Sequence, residues 1–279
     1  MSITLIRDVF QNLTTYDSWS LQLLQIKNSK RNGTTYFSRE ISLSPSDALT
    51  KFVREISESY CSNENGIDNK YESISDYDGS ANAKIIYKLS YENDLIANDY
   101  QKLINIIANP DAEVDPLKFN AQAYILKGMI CLYGSKKSVK LVSMQNPVTS
   151  LRHKYLCSNG KFTEISDKVI SLRSTIDVVI LDNTVYLLTL AGEKLFNMER
   201  AYKSVCQNKI EIILNANIVN NSDLFSKIAS SSHNPRKFIS FNESHLQMLN
   251  DADNRRKLSK KFNIPLDGDK FDVSKKRSC

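Results

Sequence analysis

The apolar residues of this chain come in strand-sized runs broken by turn residues, and that spacing restricts the fold more than any other feature. Residues 123–126 and 185–190 are among the longest runs, far below the roughly 20 apolar residues a membrane-spanning helix requires. Residues 176–181 and 184–190 flank Asp182-Asn183, residue types that a two-residue type I′ turn prefers. Residues 123–133 and 139–144 are joined through Gly134-Ser135-Lys136-Lys137, a second hairpin with a basic tip. Residues 19–26 and 34–41 partly alternate large and polar side chains around a connection holding Asn32-Gly33, which makes a third. A chain that turns back this often builds antiparallel sheet.

Helical spacing fills the intervals. Leu49, Phe52, Val53, Ile56 and Tyr60 recur on one face behind Pro45, with Ser46 or Asp47 as a natural cap. Residues 61–80 are rich in Asn, Ser and acidic side chains and read as a surface loop. Residues 84–89 read as a strand, and Ile96, Tyr100, Leu103 and Ile107 form the stripe of a second helix. After Gly192, Leu195, Met198, Tyr202 and Val205 share a helical face. Residues 210–228 are helical with a break near 215–222, and 241–250 and 254–262 form two further helices. The expected fold is α+β: antiparallel β-hairpins forming a sheet packed with helices, and a helical basic C-terminal region. Residues 111–117 are the best boundary candidate. They divide an acidic α+β half (1–116) from a basic half (117–279) with strands in 119–190 and helices in 193–262, unless the two form one continuous fold.

Charge is unevenly divided. Residues 1–120 carry 12 Lys and Arg against 17 Asp and Glu, whereas residues 121–279 carry 25 against 14. Such an imbalance points to a polyanionic partner, nucleic acid foremost. Hydrophobic content of 41% and charged content of 24% are those of a soluble globular protein. Arg7 and Asp8 interrupt any early apolar stretch, so the sequence predicts a cytoplasmic chain whose membrane role would need a partner. Five cysteines without framework spacing read as reduced thiols.

Known catalytic patterns are missing. Neither a P-loop nor a dinucleotide-binding glycine motif occurs. His153 and Cys157 lack the second pair zinc requires, and His233 and His245 stand alone. Asp267-Gly268-Asp269 with Asp272 lacks the terminal Glu of a calcium loop. Asp68-Asn69-Lys70 has the D-x-K spacing of a metal nuclease, but in a polar loop with Asp111 on the wrong side of it. The expectation is a non-enzymatic protein with no cofactor and no metal.

The basic segments carry more. On a helix over 254–262, Leu258 and Phe262 share a side that should pack inward. Arg256 and Lys260 point away from it, and Lys257 and Lys261 lie on a flank. Together with Arg255 these cations can meet phosphates one turn apart. Lys136, Lys137 and Lys140 at the hairpin and Arg152 with Lys154 beyond it form a second group, and Lys275-Lys276-Arg277 a third. Aromatics are not interleaved with them, so the expected partner is duplex DNA bound without sequence preference.

The stretch Asp177-Val-Val-Ile-Leu-Asp-Asn-Thr-Val-Tyr186, followed by Glu193-Lys-Leu-Phe196, carries a family likeness. Ala121-Gln-Ala-Tyr-Ile-Leu-Lys127, the strand at 140–144 and the basic helical region 234–266 stand in the same order around it. Over residues 119–214 the chain resembles a bacterial domain family known from KwaB of the Kiwa anti-phage defence system, and it does so only loosely before that. The shared motifs are structural, not catalytic. The resemblance implies a cytosolic DNA-binding protein that self-associates as a homodimer or higher homo-oligomer. It further implies a KwaA-like membrane-embedded partner that recruits the protein to the inner membrane, and an effect on phage DNA replication or expression. Apolar hairpin edges such as residues 184–190 would also need covering, which favours self-association. Two other readings stay open: a divergent metal-dependent nuclease, and a scaffold whose basic face meets an acidic protein or anionic lipid.

Overall fold

A computed structural model describes residues 3–29, 33–64, 66–111, 119–144, 155–158, 160–164, 171–231 and 234–274. The chain is α+β and divides into two compact units. The first joins Met1–Tyr77 to Asn82–Asn197, and the second joins Asp78–Ala81 to Met198–Cys279. A boundary near 116 falls inside the first unit, where strands from both sides of it pair.

The first unit is built on one eight-stranded sheet. Its members are β1 (Ser20–Ser29), β2 (Gly33–Ile41), β3 (Ser73–Asp76), β4 (Ile85–Ser90), β5 (Ala123–Leu132) and β6 (Ser135–Ser143). A separate hairpin of β7 (Tyr155–Ser158) and β8 (Lys161–Glu164) follows, and β9 (Val178–Leu181) and β10 (Thr184–Leu187) complete the sheet. The spatial order is β2-β1-β5-β6-β9-β10-β4-β3. The three expected hairpins are present and antiparallel. Only β3 runs parallel to its neighbour.

Three sequence expectations change. Residues 61–80 are not simply a loop: they hold the short helix α3 (Ile67–Lys70) and β3, with Ile67, Tyr71, Ile74 and Tyr77 buried. Scattered single apolar residues are all a four-residue edge strand needs, so no period was visible. The turn after β5 is Tyr133-Gly134, both at positive φ (50° and 74°), so Lys136 and Lys137 lie within β6 and not at the tip. The apolar strand expected as an uncovered edge is β10, which sits inside the sheet between β9 and β4.

Helices α1 (Thr4–Gln11) and α2 (Ala48–Cys61) supply Ile6, Val9, Phe10, Val53, Ile56 and Tyr60 to a core with Tyr124, Leu126, Leu141 and Val179. Phe10 and Tyr60 stack with centroids 3.9 Å apart. Gly128 admits the Trp19 ring, which a Cβ there would meet at 2.5 Å. Helix α4 (Ala97–Ala108) packs along β2. Its last carbonyls are satisfied from the sheet: Gln22 Nε2 donates to Ile107 O (3.1 Å) and Ser38 Oγ to Ile106 O (2.7 Å).

One buried carboxylate ties the middle of this sheet together. Asp177, 5% exposed, accepts from Met144 N–H at Oδ2 (2.7 Å) and from the Thr189 hydroxyl at Oδ1. Its backbone N–H donates to Val142 O (2.9 Å) and its carbonyl accepts from Leu188 N–H (2.8 Å). Beside it the Tyr60 hydroxyl accepts from Ile176 N–H (2.8 Å) and donates to Ile176 O (3.1 Å). Burial pushes that hydroxyl's pKa up to about 12.

The second unit is mainly helical. A 3-10 helix, Leu190–Phe196, ends at Asn197 in the left-handed region, and α5 (Met198–Asn215) then begins the unit. The expected single helix after Gly192 is therefore two. β11 (Val219–Asn220) occupies the expected break, followed by α6 (Ser222–Ala229), α7 (Asn234–Lys237), α8 (Glu243–Asn250) and α9 (Ala252–Phe262). Cys206, Ile210 and Ala229 form its core with Leu214, Phe225 and Phe238. β12 (Leu266–Asp267) and β13 (Lys270–Asp272) make a small hairpin, with β13 also parallel to β11.

Removing the Asp177 carboxylate leaves buried donors unmet. Asp177→Ala should cost about 3 kcal/mol or more. Asp177→Asn should recover only part, because an amide offers one acceptor oxygen where the carboxylate offers two. Urea unfolding followed through Trp19, the only tryptophan, reads this unit directly.

Candidate nucleic-acid interface

Helix α9 starts at Asp251, whose side chain accepts from Asp253 N–H (2.8 Å). Lys260 and Lys261 occupy its last turn, where cations complement the helix dipole. The cations of this helix then divide by role. Arg255 is only 9% exposed, and its guanidinium donates to the carbonyls of Leu249 (2.7 Å), Asn250 (2.9 Å) and Asp269. It clasps the end of α8 and the β12–β13 turn, with three hydrogen bonds from Nε and Nη1 spent inside the fold. Arg256 is exposed but pairs with Asp253 (3.1 Å) and Asp269 (2.9 Å), which neutralises it locally.

Lys257, Lys260 and Lys261 are left as the outward cations. All three are exposed, with no ion pair among the described residues, and their i, i+3, i+4 spacing puts them on one helix face. Phe262 departs from expectation: it shares a stripe with Arg255 and half-buried Leu258, yet it is 51% exposed. It is the last helical residue, and Asn263 at φ 50° turns the chain there. The Lys261 ammonium lies 5.2 Å from its ring centroid.

The first unit carries a second cationic group. Lys136 and Lys140 alternate onto one face of β6, and the register sets Lys140 directly across from Lys127 on β5. Burial, and then the neighbouring Lys127 charge, hold the Lys140 pKa below its usual value. Like charges directly opposed across a strand pair are destabilising. The Lys136 ammonium lies 5.1 Å over the Tyr16 ring. Lys137 points to the other face and pairs with Asp182 (2.9 Å). Lys127 was missed in the sequence, although a two-residue turn placed at Tyr133-Gly134 would have given the pairing. Arg152, Lys154 and the cations at 275–277 lie outside the described residues, as do His153 and His233.

The acidic residues weighed for a nuclease site and for a calcium loop each make contacts of their own. Asp68 pairs with Arg7 (3.4 Å), Lys70 lies over the Tyr71 ring, and the Asp111 N–H donates to Ser38 O (2.8 Å). Asp267 accepts from Asn220 (2.7 Å), Asp269 holds Arg256, and Asp272 accepts from Ser274 N–H (2.9 Å). Among the described residues, no group of three or more His, Cys, Asp or Glu is placed to hold a metal ion. No described helix is long and apolar enough to cross a membrane.

The different roles of adjacent arginines give a sharp expectation. Arg255→Ala should cost about 2–4 kcal/mol by stripping three carbonyls of their donor, whereas Arg256→Ala should stay within about 0.5 kcal/mol. Hydrogen exchange of the α8 and α9 amides would register the first and not the second.

A family model described as Kiwa protein KwaB-like matches residues 118–279. The match begins just before β5 and takes in residues 198–279 of the second unit. No curated protein and no solved structure matched the chain. Because the match spans more than half of its length, the protein belongs to the Kiwa protein KwaB-like family, which implies a role in Kiwa anti-phage defence.

Proposed function

We propose that this protein is the DNA-binding effector of a Kiwa defence complex, held at the inner membrane by a KwaA-like membrane-embedded partner, where it impedes phage DNA replication or expression. The observation that carries the DNA reading is the exposed triplet Lys257, Lys260 and Lys261 on one face of α9, with its neighbouring arginines committed elsewhere. Three outward ammonium groups within about one turn match phosphates and read no bases, so duplex DNA is bound without sequence preference. Lys127, Lys136 and Lys140 are the second contact. The like-charge pair they include costs stability unless an anion offsets it, which supports this assignment. Self-association belongs to the same reading but rests on the family resemblance alone, because β10 is an interior strand. The protein acts by binding, without catalysis.

A second reading, contact with anionic lipid head groups, is favoured by exposed Phe262 beside these lysines.

Replacing Lys257, Lys260 and Lys261 with Ala should weaken binding equally for unrelated duplexes and flatten the log–log salt dependence by about 0.9 per lost contact. The variant should lose phage protection while keeping its membrane partner. Unchanged affinity and slope would sink the α9 assignment, and loss of vesicle binding in its place would favour lipid. Incubated with Mg²⁺ or Mn²⁺, the purified protein should leave DNA and RNA intact. Cleavage abolished by Asp68→Ala or Asp111→Ala would establish the nuclease reading.

A further inference from the structure

Lys127 on β5 and Lys140 on β6 stand directly opposite each other in the antiparallel ladder, so their side chains leave the sheet on the same face. Directly opposed residues have Cβ atoms about 5 Å apart. The same row continues to Ser20 on β1 and Ile180 on β9. The row two residues along on one side is Ile125 and Val142, which like Ile180 are fully buried. On the other side it is Met129 and Ser138, both half-buried. The half-buried lysine pair therefore marks the line where the covered part of this face ends, with an apolar wall on one side and a more open surface on the other.

Neither ammonium makes an ion pair among the described residues. The carboxylate that acts on Lys140 is Asp182, whose Oδ2 is already held by Lys137 (2.9 Å). Burial and the Lys127 charge act on Lys140 more strongly than Asp182 does, so positive charge stays uncompensated here. Repulsion between the two ammoniums is stronger than on an open surface, because an apolar wall screens charge poorly. An anion between them would replace that repulsion with attraction for both. A phosphodiester brings a single negative charge to this pair. A phosphate monoester brings about −1.5 to −2 at pH 7, with three acceptor oxygens, and so matches two cations. The exposed lysines of α9 differ, since each stands in water and can meet a singly charged backbone phosphate by itself.

We infer that Lys127 and Lys140 form a site for one dianionic phosphate, held between the two ammoniums beside the buried part of the sheet face. This rests on the DNA reading only in taking these lysines to meet an anion, and within that reading the ligand is the terminal phosphate of a nucleic-acid end.

The test follows melting of the full protein in chloride buffer of constant ionic strength as inorganic phosphate, methyl phosphate or dimethyl phosphate is added. The first two, which carry the dianion, should raise the melting temperature saturably, with an apparent affinity at least about tenfold above that of dimethyl phosphate. Lys127→Met and Lys140→Met should each raise the ligand-free melting temperature by removing the repulsion, and weaken phosphate about tenfold or more. Lys136→Met, on the same face but exposed, should leave both unchanged. A duplex with phosphorylated ends that binds more tightly than its dephosphorylated counterpart would assign the site to a nucleic-acid end, and equal binding would assign it to a free phosphate. No saturation in the millimolar range, an equal response to dimethyl phosphate, or a response kept by both lysine variants would overturn the proposal. A lower ligand-free melting temperature for both variants would also refute it, by showing that the fold already satisfies the two ammoniums. Duplex binding that persists without a phosphate response would sink this site and leave the DNA reading standing. A phosphate response in a protein that binds no duplex would do the reverse.

Discussion

A carboxylate withdrawn from water must find donors within the fold, and Asp177 finds them on two different pieces of chain. Met144 N–H comes from the end of β6, and the Thr189 hydroxyl from the exit of β10. The Asp177 backbone itself is hydrogen-bonded to both neighbours. The residue therefore fixes where β9 enters the sheet and where the chain leaves β10 for the 3-10 helix. Tyr60, on α2, closes the same region by holding both backbone groups of Ile176. The central sheet and the helical layer against it are registered through this one polar cluster, and the apolar core fills in around it.

Arg255 plays the corresponding part in the second unit, with the sign reversed. Its guanidinium presents several donors in a fixed plane, which lets one side chain satisfy carbonyls from the end of α8 and from the β12–β13 turn. Arg256, one residue on, faces solvent and two aspartates. Lys257 faces solvent alone. Three consecutive cations thus have three roles, because successive residues of a helix point about 100° apart.

This division bears on function. Counted by unit, the second holds 15 Lys and Arg against 10 Asp and Glu and the first 22 against 21, so the basic excess concentrates in the helical unit. Within its helix α9, Arg255 maintains the scaffold, Arg256 is neutralised by two aspartates, and Lys257, Lys260 and Lys261 have no ion pair among the described residues. Lysine suits contact with a phosphate backbone, being a point charge on a flexible stem, whereas a bidentate arginine would suit a base edge. Family membership implies a role in Kiwa anti-phage defence, and the lysine faces are the surface that the proposed DNA-binding role assigns to a nucleic acid.

Much of this protein could be read without its structure. Alternation and turn residues located the three hairpins, and apolar spacing located α2 and α4, because those patterns report one buried side of a regular element. The helices read at 241–250 and 254–262 are present as α8 and α9, although α8 buries no residue and α9 only Arg255. The motif from Asp177 to Tyr186 identified the family. The rest depended on neighbours distant in the chain. β3 was hidden because a short edge strand carries too few apolar residues to show a period, and β10 looked like an edge because nothing local says that β4 lies beside it. Lys127 gained its meaning only from the residue across the sheet, and Arg255 only from the carbonyls of other segments. Sequence alone determined which residues could be cations on a helix or strand. The tertiary structure decided which of them stay free, because whether a charge is spent inside the fold depends on what packs against it.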